Sequence, residues 1–208
     1  MIVIMIKVTR KTTESQMNVV FDFSPVRSDY RKYIKTPITF LNHMIEHIAW
    51  RGGFNIEVDM ELDEFTLTHV ICEDLGIAMG KAAKEYIDRT DGAYGYGDAV
   101  GMIDEARAKC AISFESRAYC AIDYAPCIEL CETVEGMDTQ DLETFLEGFA
   151  QGAMCTLQID VERGHNGHHI WEAVFRSLGT ALNRTFAVCE ERKGKTSGVA
   201  GKIEWIIE

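Results

Sequence analysis

The sequence is short of positive charge: 21 Lys and Arg stand against 33 Asp and Glu, a formal net charge of −12 with neutral histidines, and the pI is near 5.0. No basic track is left to neutralise a run of phosphates. That argues against a nucleic-acid or anionic-membrane surface and requires any phosphate to be met locally. Long apolar runs are also missing. The opening stretch Met1-Ile2-Val3-Ile4-Met5-Ile6 is followed by Lys7 and Arg10, too short for a bilayer span or a signal segment, and reads as a first strand. The seven cysteines, at 72, 110, 120, 127, 131, 155 and 189, include no C-x-x-C pair. An odd, scattered set lying partly in apolar runs reads as reduced, buried thiols of a cytoplasmic protein. With 47% hydrophobic residues in 208, the chain is long enough to bury a substantial core without staples.

Histidine and glutamate carry the chemistry. His165-Asn166-Gly167-His168-His169-Ile170-Trp171-Glu172 gathers three of the six histidines at the start of an amphipathic stretch. On a helix, His168 and Glu172 at i and i+4 share a face, while His169 points about 100° away, toward a different ligand position. His69-Val70-Ile71-Cys72-Glu73-Asp74 repeats the spacing. Imidazole and carboxylate on one face suit a borderline divalent ion such as Mn, Fe, Co or Zn. A single such pair is as well explained by solvated residues at the positive end of a helix dipole; two in one chain point to metal.

The elements read in order as follows. Strands are expected over 1–9 and Gln16–Phe23, joined by the polar turn Arg10–Ser15. After a loop over Ser24–Pro37, Thr39 is expected to cap a helix over Phe40–Arg51, ended by Gly52-Gly53. An alternating strand, Phe54–Leu62, and a helix, His69–Ile87, complete a β-β-α-β-α unit. A glycine-rich stretch, Asp88–Gly97, marks a boundary, giving one half over 1–91 and another over 92–208, packed as one compact unit. The second half has strands at Ala99–Ile103, Lys109–Phe114 and Arg117–Tyr124, an acidic loop around Glu129–Asp138, a helix Leu142–Ala153, a strand Cys155–Glu162, a helix from His168 to Val188, and a last strand over Gly198–Ile207. Superposing Phe40–His43 on Phe145–Gly148 aligns the two helix-strand-helix units. This internal duplication predicts an α+β fold with each sheet covered by helices on one face.

With both halves laid out, the chain resembles the imidazoleglycerol-phosphate dehydratase family. Arg10–Ser15 is similar to its R-x-T-x-E-T turn, and Phe40-Leu41-Asn42-His43-Met44-Ile45-Glu46 with Gly52-Gly53-Phe54 to F-L-D-H-M-L-E and H-G-G-F. His69–Gly76 looks like H-H-T-V-E-D-T-G, Asp104-Glu105-Ala106 like D-E-A, and His168–Ala173 like H-H-K-I-E-A. The resemblance implies a duplicated, ribosomal protein S5 domain 2-like fold and a homo-oligomer of trimers within a 24-subunit shell. It implies manganese, or another divalent transition metal, one or two per chain, at subunit interfaces. Carried across, the ligand positions are His43, His69, Glu73, His168, His169 and Glu172. The implied reaction dehydrates imidazoleglycerol phosphate to imidazoleacetol phosphate, with Glu14, Glu73 and Glu172 as catalytic carboxylates.

The pattern also departs from the family. Val70 stands where the second histidine of the first pair belongs, and Gln158 where a strand histidine belongs; valine cannot ligate, and glutamine is a poor ligand for these metals. His47, four after His43 on one helical face, is a candidate replacement ligand. At the phosphate end Gly95 and Ile170 replace an arginine and a lysine, which leaves Arg117, Lys195, Ser197 and Lys193 as candidates for substrate binding. Asp74 and Asp104 are candidate supports for ligands. These changes predict an altered metal and phosphate site. A divergent metal-dependent lyase or isomerase, or a non-catalytic metal-binding assembly, remains open beside the dehydratase.

Overall fold

A computed structural model describes residues 4–63, 66–201, 203, 204, 206 and 207. Strands β1 (Met5–Lys11), β2 (Ser15–Asp22) and β3 (Asn55–Leu62) form an antiparallel sheet in that order. The hairpin between β1 and β2 is tighter than its six polar residues predict. Thr12 Oγ1 accepts the backbone N–H groups of Glu14 and Ser15, so the turn closes over three residues. Alternate residues of β2, Met17, Val19 and Phe21, are fully buried on the inner face of this sheet.

A second sheet runs β4 (Tyr96–Ile103), β5 (Ala106–Ser113), β9 (Thr156–Arg163), β6 (Tyr119–Tyr124), with β6 parallel to β9 and the other pairs antiparallel. A small hairpin, β7 (Thr133–Val134) and β8 (Met137–Asp138), lies inside the expected acidic loop. Helices α1 (Thr39–Gly52) and α2 (Thr68–Arg89) pack on the first sheet; α3 (Thr139–Ala153) and α4 (Gly167–Thr185) pack on the second. Between the sheets, α1 meets α4 and α2 meets α3. The two helix-strand-helix units therefore face one another through their helices, in the α+β arrangement the duplication predicts.

Three details differ from the sequence reading. Thr39 lies inside α1 and Ile38 occupies the cap, because the Asn42 side chain accepts from Thr36 N and donates to Thr36 O, tying down the incoming loop in place of a threonine cap. Helix α4 stops at Thr185 rather than near Val188, since Phe186 turns into a cluster with Phe23, Phe54 and Tyr86. The expected last strand over Gly198–Ile207 is absent among the described residues, where a turn bond from Gly201 N to Gly198 O is formed instead. Val199, Ile206 and Ile207 stay exposed, so no apolar face drives the segment onto a sheet.

Glycines set the helix spacing. Gly76 and Gly80 of α2 lie against the carbonyl oxygens of Phe145 and Phe149, and Gly148 and Gly152 of α3 lie reciprocally against those of Glu73 and Ile77. A Cβ at any of the four would approach backbone within 3.0 Å, where no rotamer change gives relief. Gly152→Ala is therefore expected to lower unfolding free energy by about 3 kcal/mol, measured by urea denaturation; a loss below about 1 kcal/mol would show that α2 and α3 are free to slide apart.

Candidate metal centre

The contact of α1 with α4 has the same character. A Cβ at Gly179 would sit 2.8 Å from the carbonyl oxygen of His47 and 2.9 Å from Ile48 Cα, so the two helix backbones nearly touch. That brings His43 and His47, one turn apart on α1, onto His168 and Glu172, one turn apart on α4. One donor atom each from His43, His168 and Glu172 lie within 4.8 Å of one another. Glu172 is 5% exposed. Its Oε2 is 3.7 Å from His168 Nε2 and its Oε1 is 3.1 Å from His47 Nε2; Oε1 also accepts from the Arg176 guanidinium, which balances the buried charge.

Each histidine carried over as a ligand has Nδ1 beside a carboxylate. Glu46 Oε2 is 3.3 Å from His43 Nδ1, and Glu135 Oε1 is 3.0 Å from His168 Nδ1. Glu105 Oε2 is 2.8 Å from His169 Nδ1, and Asp141 Oδ1 is 3.5 Å from His69 Nδ1. A carboxylate holding the Nδ1 proton leaves the Nε2 lone pair free, the orientation in which metal-ligating imidazoles are commonly held. The local fold supplies these partners. Glu135 and Gly136 both have positive φ and form the two-residue β7–β8 turn, a type I′ geometry. Asn166 caps α4 by accepting from His168 N and His169 N, and Glu105, in the β4–β5 turn, accepts from Asn166 N.

The remaining sequence-derived candidates are dispersed. His69 and Glu73 are exposed on α2, and His169 faces the β4–β5 turn, with Asp104 3.9 Å from its Nε2. Asp74 supports no histidine: it is buried, and it accepts from Ser15 Oγ and pairs with Arg10 Nη1 at 2.6 Å. This network locks the β1–β2 hairpin to α2 beside the exposed Glu14. At the proposed phosphate end, Arg117 pairs with Glu115 at 2.8 Å, Lys195 Nζ donates to Glu191 O, and Ser197 Oγ donates to Phe114 O. Lys195 and Ser197 line a cleft of about 680 Å³ whose wall also includes Lys84, Arg89 and Glu115. Gly95 is fixed by packing, with φ +72 and its position filled by Ser197 Cβ.

The fold has counterparts among known proteins. The imidazoleglycerol-phosphate dehydratase family model matches residues 36–182. This chain belongs to that family. The imidazoleglycerol-phosphate dehydratase of Clostridium novyi (strain NT) is 32% identical over 192 residues, covering 90% of this chain and 93% of its own. That of Pseudomonas paraeruginosa is 31% identical over 194 residues, covering 93% and 95%. The crystal structure of IGPD from Pyrococcus furiosus in complex with (S)-C348 superposes with a TM-score of 0.76 at 27% identity, over 94% of this chain and 99% of that one. The chain is thus a lyase of the dehydratase type, and its family is metal-dependent. His43, His168 and Glu172 fit such an ion chemically: two imidazoles, each with Nδ1 beside a carboxylate, and one carboxylate on a shared centre.

Sequence reasoning missed the partners. Glu46 was within reach as i+3 of His43, but Glu135, Asp141 and Arg176 were not singled out. The first two come from a distant turn and a distant helix, and spacing alone gives no signal for such contacts. The structure also separates the titration of two rings. Burial, with the neighbouring His43 and Arg176, lowers His47 to about 3, so its contact with Glu172 is a hydrogen bond from a neutral ring and not an ion pair. The hydrogen bond to Glu105 raises His169.

An NMR titration of metal-free protein should therefore find His47 neutral at pH 5 and His169 still charged above pH 6.5, near which both would titrate in the unfolded chain. The linkage runs in opposite directions. The unfolded chain binds the extra proton at position 47, so stability falls as pH drops from about 6.5 toward 3. The His169 contribution is full below about 6.5 and is lost as pH rises through its raised folded value. A His47 ring titrating near 6.5 would mean that it is not desolvated.

Proposed function

We propose that this chain dehydrates imidazoleglycerol phosphate to imidazoleacetol phosphate, a step of histidine biosynthesis, using a divalent transition metal, manganese in the first instance. The observation that carries the reading is the convergence of His43, His168 and Glu172 within 4.8 Å in a chain of the dehydratase family. His43 and His168, with Nδ1 held by Glu46 and Glu135, and Glu172, with Oε1 held by Arg176, are the residues that hold the ion. When bound, a divalent ion supplies Lewis acidity to the imidazole ring of the substrate.

The chain's own groups do the rest. Glu14, exposed at the β1–β2 turn and anchored through Ser15 and Asp74, takes the carbon-bound proton as general base. The neighbouring hydroxyl leaves with a proton as water, and the resulting enol ketonises. Arg117, Lys195 and Ser197 meet the phosphate, releasing their present contacts to Glu115, Glu191 and Phe114. His69 with Glu73, and His169 with Glu105, lie on exposed surface and belong in this reading to faces that meet when copies assemble, as trimers within a 24-subunit shell. There they form the second set of ligands, altered by Val70 and Gln158.

The test is turnover of imidazoleglycerol phosphate by manganese-loaded protein, followed as imidazoleacetol phosphate formed. His168→Ala and Glu172→Gln should each lower kcat/KM by at least about 100-fold, and prolonged chelation should abolish activity until manganese is returned. No product from the folded, manganese-loaded wild type would overturn the assignment. Wild-type turnover in both variants would overturn the site.

A further inference from the structure

His43, His168 and Glu172 give a metal three protein donors, which leaves coordination positions for further ligands. We propose that His47 is the fourth, so that a single chain holds a divalent transition metal with three imidazoles and one carboxylate. The inference rests on the metal reading above and extends it to a residue that neither the ligand positions of the resemblance nor the three-donor group includes.

Distance is the first argument. His47 Nε2 lies 3.1 Å from Glu172 Oε1 and 3.4 Å from His43 Nε2. Donors sharing an ion at about 2.0–2.2 Å stand about 3–3.5 Å apart when adjacent in its coordination sphere. Both separations fall in that range.

Charge is the second. A buried carboxylate needs a cation close by, and Glu172 already has one in Arg176, whose second nitrogen is anchored on Met102 O at 2.9 Å. Compensating the glutamate therefore does not require two further imidazoles. Grouped around a carboxylate that is already neutralised, their nitrogens are the donor set of a borderline ion.

Placement is the third. The His47 backbone is pinned against Gly179, two turns after Glu172 on α4, so the helix crossing fixes the distance from which the ring reaches toward Glu172. Its side chain is only 14% exposed, and it lines a cleft of about 320 Å³ whose wall also includes Arg31, Glu46, Arg51 and Arg176, so the ring is reached from solvent with Glu46 set against the three guanidiniums. Val70 removes an imidazole from α2; His47 supplies one from α1.

The test uses full-length protein stripped with chelator and reloaded. His47→Gln, which keeps a polar side chain of similar reach, should weaken Mn²⁺ binding by at least about 10-fold in calorimetry while the metal-free variant keeps the melting temperature of metal-free wild type. The ligand-field spectrum of the Co²⁺ protein should also change between wild type and His47→Gln, as it does when an imidazole leaves the coordination sphere. Unchanged affinity in His47→Gln, or a Co²⁺ spectrum identical to that of wild type, would overturn the proposal. If His168→Ala still loses the metal in that case, the three-donor site survives without His47. A wild type that holds no metal after reloading would overturn both.

Discussion

The contact on which the site depends is the near-touching of two helix backbones at Gly179. A glycine there lets α4 lie directly on the carbonyl of His47, and any side chain would push α1 outward. The histidines of α1 and the His-Glu pair of α4 lie far apart in the sequence. They share a centre only because this crossing removes the space that would separate them. The same device holds α2 on α3 through Gly76, Gly80, Gly148 and Gly152, and seats α4 on β4 through Gly97 and Gly101. Helices packed at backbone distance cannot drift, and a metal centre needs its donors held to within fractions of an ångström.

Around that crossing, carboxylates do two different things. Glu46, Glu135, Glu105 and Asp141 stand beside Nδ1 atoms and decide which nitrogen of each ring is free. Glu172 is buried and points inward, its charge met by Arg176. The acidic balance of the chain, 33 carboxylates against 21 cations, is thus partly spent on orienting imidazoles. A chain with fewer acids would present the same histidines with undefined tautomers.

The cleft lined by Lys195 and Ser197 is built differently. Gly95 stands where the resemblance leads to an arginine, and Ser197 Cβ fills the space a side chain there would need. Arg117, Lys195 and Ser197 are each engaged within the chain. Arg31 and Arg51 lie instead by the cleft beside His47.

Much of this was legible in residue order. Alternation in Gln16–Phe23 and Phe54–Leu62, helical periodicity in the four helices, and the doubled His-x-x-x-Glu spacing follow from local geometry, which a sequence encodes directly, and with the family motifs they are enough to indicate an α+β duplicated fold and metal chemistry. The cap of α1 and the stop of α4 were not, because each depends on what another segment offers: Thr36 to Asn42, an aromatic cluster to Phe186. The candidate site divides the same way. The sequence by itself determined which imidazoles and carboxylates share a helical face. Only the tertiary structure decided which faces meet, that His47 turns inward toward Glu172, and that Asp74 serves the hairpin rather than a histidine, because those outcomes depend on the separation of helices that glycines bring into backbone contact.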